Sequence, residues 1–184
     1  MTNLKPLTLY PRVTWDNAQF GPGFIELGSR KDKAGENRPY ALNFDVIAHE
    51  TGHAIAFTLG GLPTTSNVMA EFVGFHEAMA DTISVLSSMH FPRVLWLTLE
   101  NCAGDIYADN VINRIGELSK DDEIRMMSSQ SIHTNEKWQG KLAADVKSKE
   151  LHDISLPLSG ALMDIMVFFY LSSLARFGVI EKNK

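Results

Sequence analysis

The chain has a single cysteine, Cys102, in 184 residues. An internal disulfide is excluded, and so is a cysteine-rich zinc module; any zinc site must use histidines and carboxylates. Cys102 has no evident base partner in sequence and reads as a small buried hydrophobe, not a nucleophile. A basic cluster is also lacking. Lys and Arg number 17 against 22 Asp and Glu, a formal charge of -5, which argues against a nucleic-acid-binding surface. Residues 1–6 carry no apolar run of the signal-peptide kind, and the compartment is left open. There are no internal repeats and no low-complexity linker. One long apolar stretch exists, residues 154–180. Asp164 in its middle, with Pro157 and Gly160 near its start, favours a buried core helix, and no membrane span is expected.

Hydrophobic residues make up 45% and charged residues 21%, the balance of an ordinary globular domain with a real core. Short β-like runs occupy residues 7–10 and 24–27, with Gly21-Pro22-Gly23 as a turn between them. Residues 28–39 read as a charged, glycine-containing loop. Asn43 or Asp45 is placed to cap a first long helix that stops at Gly60-Gly61. A second helical pattern covers residues 68–89 and stops at Pro92. Residues 94–99 fit helix or strand. Residues 101–109 read as loop, 111–118 as a short helix, 120–123 as a solvated charged patch and 137–150 as a polar helical segment. A last helix is expected from Pro157, a natural first-turn proline, to about Phe177. Met166, Phe168, Phe169 and Tyr170 are expected in its core face.

The first helix carries His49-Glu50-Thr51-Gly52-His53. Four residues apart on a helix, His49 and His53 project from one face, one turn apart. That spacing suits two nitrogen ligands of one tetrahedral Zn²⁺. Glu50 is placed to take the proton of a metal-bound water without itself ligating. Val46, Ile47, Ala54, Ile55 and Phe57 make the segment strongly apolar, and buried histidines need partners. The second helix offers Phe75-His76-Glu77-Ala78-Met79-Ala80-Asp81, with Glu77 24 residues after His53. Two histidines and a glutamate with an open fourth position form a known catalytic zinc set. Asp81, on the same helix face as Glu77, can hydrogen-bond the far nitrogen of a ligating histidine. His76 reads as a histidine satisfied beside the site or at the surface.

The pair H-E-T-G-H and F-H-E-A-M-A-D resembles the thermolysin-like gluzincin metallopeptidases, whose pattern is H-E-x-x-H followed by N-E-A-x-S-D on the next helix. Further stretches are similar. Asp16-Asn17-Ala18-Gln19-Phe20 resembles the family's edge strand beginning Asn-Ala, and Asp45-Val46-Ile47-Ala48-His49-Glu50 its D-V-V-A-H-E. Residues 104–107 and 124–128 resemble its E-D-V-Y and L-R-S-M-S, and His152-Asp153-Ile154-Ser155 its histidine motif. The resemblance spans about residues 14–175. It implies an α+β, mainly helical zincin (thermolysin-like catalytic) fold with a small N-terminal β-sheet edge and a shortened C-terminal helical lobe. It implies one catalytic domain over residues 1–184: a β-containing part with the zinc helix (1–66), then a helical part (67–184). A fragment of a longer protein would fit that shortened lobe.

The activity implied is zinc-dependent hydrolysis of a peptide or protein substrate, with one Zn²⁺ per chain held by His49, His53 and Glu77. Glu50 would be the general base, and His152 would stabilise the oxyanion, with His133 the second choice. Arg125 would hold a substrate carbonyl, and Asn17 and Ala18 the substrate backbone. This chain departs from the family at three points. His76 replaces the usual Asn. Residues 62–69 contain no Tyr where the family has one that assists the oxyanion. Only Asp45 matches the carboxylates of the paired calcium site, so calcium is not expected. These departures keep a second expectation open, a zinc-binding homologue without turnover that serves as an interaction module.

Overall fold

The structure, a computed structural model, describes residues 6–61, 70–115, 125–127 and 151–181. Strands β1 (Thr8–Tyr10), β2 (Ala18–Gly21) and β3 (Phe24–Leu27) form a sheet of order β1-β3-β2. β2 runs antiparallel to β3, with Phe20 opposite Ile25, so it is an edge strand. The two are joined by the expected glycine turn, where Gly23 has φ 94°. Residues 28–39 are not a loop. They contain a hairpin of β4 (Ser29–Lys31) and β5 (Asn37–Pro39). Asp32 closes its turn by accepting from the backbone N–H of Ala34 and Glu36, and it pairs with the Arg38 Nε at 2.8 Å. That side-chain network stands in for the apolar alternation by which a strand is read from sequence.

A single 3₁₀ turn (Tyr40–Leu42) leads into α1 (Phe44–Gly60). Asn43 occupies the N-cap but makes no side-chain cap bond, while Asp45 lies in the positive first turn. Gly61 ends the helix with φ 79°. Ile25, Leu27, Tyr40 and Val46 form a core between the sheet and α1, with Phe20 and Ile47 against it. Ile55 and Leu59 on the far side of α1 are exposed.

α2 (Ala70–Ser88) packs on α1, and α4 (Leu151–Arg176) packs on α2. α3 (Pro92–Asn101) settles the ambiguity at residues 94–99 as helix, with Pro92 in its first turn. The short helix expected at 111–118 is absent over its described part. Residues 111–113 are turn, and β6 (Arg114–Ile115) pairs with β7 (Arg125–Met126). Asn110 and Asn113 bond turn backbone here, which favours turn over helix. The patch at 120–123 and the segment at 137–150 lie outside the described residues.

The last helix starts at Leu151, six residues before Pro157, which therefore sits inside it. Ile154 is buried directly against Gly74 of α2, and this packing outweighs the backbone hydrogen bond that an interior proline forfeits. The core of this half comprises Val85, Ile112, Ile115, Met127, Met163 and Val167. Phe168 and Phe169 were expected there. They lie on the opposite face of α4, 66% and 64% exposed, because α2 covers only one side of the helix. By length and composition alone, His152–Arg176 would suffice to cross a membrane, with mean hydropathy 1.7 in a window one-third buried. Among the described residues the chain is thus α+β, with four α-helices and small sheets.

Candidate metal centre

Two close helix contacts bring the site together. A β-carbon on Gly52 would lie 2.7 Å from the Cα of Ala80, and one on Gly74 would lie 2.9 Å from Ile154 Cγ2. Gly52 sits between His49 and His53 on α1, while Ala80 lies between Glu77 and Asp81 on α2. Ile154 is two residues after His152 on α4. Small residues at these positions allow the backbones to approach, so polar side chains from three helices converge.

His49 Nε2 and His53 Nε2 stand 3.1 Å apart. Glu77 places Oε2 3.4 Å from the first nitrogen and Oε1 3.5 Å from the second. These three residues can present one donor atom each to a single metal ion. The protonation pattern fits that use. Asp81, 1% exposed, sets Oδ1 2.8 Å from His49 Nδ1. A proton on Nδ1 leaves Nε2 as a bare lone pair aimed at His53. Two imidazole nitrogens facing each other at 3.1 Å repel unless a proton or a cation lies between them.

His152 joins the cluster from α4, its Nδ1 2.8 Å from Glu77 Oε2. The angle is poor for a hydrogen bond, and both atoms are buried without a bonded partner among the described residues. The distance therefore records proximity, and both atoms remain open to an electrophile. Burial disfavours ionisation of Glu77, but His152, His49 and His53 around it outweigh burial and hold its carboxyl far below the usual range. Glu50 behaves oppositely. Burial raises its pKa, and Glu77 adds to this, while His49 and His53 and a hydrogen bond from the Phe20 backbone oppose it.

The residues expected from sequence at the metal site (His49, Glu50, His53, Glu77, Asp81 and His152) are therefore all in this cluster. Ala18 opens edge strand β2 and Asn17 stands just before it; Phe20 of this strand reaches Glu50 through its backbone, and its ring meets that of Phe57 of α1 at 5.6 Å. Arg125 lies in β7 opposite Ile115, and its side chain is outside the description. His133 and the segment 62–69 also lie outside the described residues.

His76 is not a surface residue. It is 8% exposed, its ring is 4.7 Å from that of Phe72 and stacks parallel to that of His53 at 6.5 Å. Its Nε2 has no hydrogen-bond partner among the described residues, and burial lowers its pKa. The i,i+4 spacing of Phe72 and His76 was a visible signal for this packing. The Phe20 contact had none, because a backbone donor leaves no mark in the side-chain sequence. No family model, curated protein or solved structure matches the chain.

Proposed function

We propose that the protein is a zinc-dependent metallopeptidase of thermolysin-like, zincin type, hydrolysing peptide bonds with Glu50 as general base. The observation that carries this reading is the convergence of His49 Nε2 and His53 Nε2, 3.1 Å apart, on the Glu77 carboxylate, whose Oε2 lies 3.4 Å from the first nitrogen and whose Oε1 lies 3.5 Å from the second. Donors bound about 2.0–2.1 Å from a tetrahedral zinc stand about 3.3 Å from one another. His49 Nε2, His53 Nε2 and the Glu77 carboxylate would hold the ion. When bound, it supplies Lewis acidity, polarising a carbonyl and acidifying water.

The chain's own groups do the rest. Glu50 accepts a proton from the attacking water at its carboxylate and returns it to the leaving amine as the C–N bond breaks. Burial raises its pKa above that of an ordinary carboxylate, which strengthens it as a base. His152 donates a hydrogen bond to the oxyanion that forms as water adds to the carbonyl. The β2 edge at Asn17 and Ala18 takes the peptide backbone as an added strand, and Arg125 holds a substrate carbonyl.

The test is the zinc content of purified wild type beside Glu77→Ala, followed by cleavage of unfolded casein. The expected result is about one zinc per chain, lost in the variant, and casein hydrolysis by the wild type alone. A wild type that takes up no zinc even when supplied with it would sink the reading. Zinc binding without casein cleavage would favour the second reading, a zinc-binding interaction module. That reading draws on the absence of Tyr from residues 62–69 and on His152 lying against Glu77.

A further inference from the structure

A second feature lies at the other end of the α2–α4 pair. A partly enclosed cavity of about 200 Å³ is lined by residues including Met89, Leu95, Leu99, Met163, Met166 and Tyr170. Met89 is 12 residues beyond Glu77 and Met163 is 11 beyond His152. At a helical rise of about 1.5 Å per residue the cavity lies more than about 15 Å from the metal cluster. It shares none of that cluster's residues.

The lining is chemically one-sided. Thr98 also lines it, and its hydroxyl donates its one hydrogen to the Val94 carbonyl at 2.9 Å. Asn110 spends its amide on the Ile106 and Ala108 carbonyls and its oxygen on the Ile112 and Asn113 N–H groups. Tyr170 brings the one further side-chain hydroxyl among the lining residues. It makes no hydrogen bond with another described residue, and a β-carbon on Gly104 would lie 3.5 Å from it.

An ordered water needs two to four polar partners, and the wall of this space is almost wholly apolar. Interiors are close-packed, and a dry void forfeits dispersion contacts along its whole wall. A guest of complementary shape restores them, and a dry cavity of about 150 Å³ already accepts benzene.

We propose that this cavity is a binding site for a small, largely apolar molecule of about nine to ten non-hydrogen atoms. An aryl or short alkyl body fills the methionine- and leucine-lined space, and one carbonyl or ether oxygen accepts from Tyr170. The three methionines supply flexible, polarisable walls that adapt to such a guest.

The experiment titrates the full chain, carrying ¹³C-methyl methionine, with propylbenzene and with acetophenone. Both probes have nine non-hydrogen atoms, but only acetophenone offers an acceptor. Saturable shifts of the Met89, Met163 and Met166 methyl signals are expected. A rise in Tm of about 3 °C at tenfold excess over Kd should accompany them. Leu99→Trp, which fills the rim, should abolish both responses while still melting cooperatively; Leu95→Phe serves if that variant does not fold. Tyr170→Phe should remove any preference for acetophenone and leave propylbenzene binding unchanged. Unshifted methyl signals in the wild type, or full responses in a folded filling variant, would overturn the proposal.

Discussion

Gly52 of α1 faces Ala80 of α2 at a separation that leaves no room for a side chain: an added β-carbon would meet the Ala80 Cα at 2.7 Å. The obstacle is backbone, which cannot rotate aside, so the helices themselves must part. Gly52→Ala should therefore destabilise the fold by about 1–3 kcal/mol, although alanine is the better helix former. For a chain of this size the drop in Tm should be about 2–10 °C. The same shift separates His49 and His53 from Glu77, so metal affinity should fall as well. A variant with unchanged Tm and unchanged metal uptake would show that the helices do not approach this closely.

Asp81 is buried against the far nitrogen of His49 at 2.8 Å. Asp81→Asn keeps the shape but removes the charge that holds the Nδ1 proton. Zinc affinity should fall about 10–100-fold, measured by competition with a chelator. Unchanged affinity would mean that His49 is oriented by other means.

Glu50 is predicted to matter to turnover and not to metal retention. Glu50→Gln should keep the zinc content of the wild type and lower kcat by a factor of about 10²–10⁴. A normal rate of casein cleavage would remove Glu50 from the mechanism.

Tyr40 gives a pH prediction that does not depend on metal binding. It is buried beside the sheet and donates to Asp16 Oδ1 at 3.0 Å; burial first, then this bond, push its pKa up to about 12. The unfolded chain releases the phenolic proton near pH 10, and the folded chain holds it longer. Between those values the folded state binds more protons, so stability falls as pH rises from about 10 to about 12. Tyr40→Phe should lose less stability over that window than the wild type, followed by denaturant melts. Phenolate absorbance should show one tyrosine fewer ionising late. Parallel losses in both proteins would show that Tyr40 ionises as an ordinary exposed phenol.

The candidate metal donors were legible because helical periodicity is a local property. His49 and His53 share a face whatever surrounds them, and Glu77 and Asp81 repeat that relation on the next helix. The turn at residues 21–23 and the glycine stop of α1 were legible for the same reason, since their chemistry lies within a few residues. The hairpin at 29–39 escaped because Asp32 and Arg38 organise it through side-chain bonds, without alternating apolar residues. The turn at 111–113 escaped because its asparagines bond backbone that no hydrophobic pattern marks.

By itself, then, the sequence determined which residues can act as donors and on which helices they stand. Tertiary structure alone decided how near they come. Gly52 against Ala80 and Gly74 against Ile154 set the helix separations that bring His49, His53, Glu77 and His152 into one cluster. It also decided which apolar side chains are covered. Phe168 and Phe169 share their composition with the buried positions of α4 and differ only in facing away from α2. Periodicity distinguishes the faces of a helix, but which face a neighbour covers, and what space it leaves unfilled, follows from the packing of segments far apart in the chain.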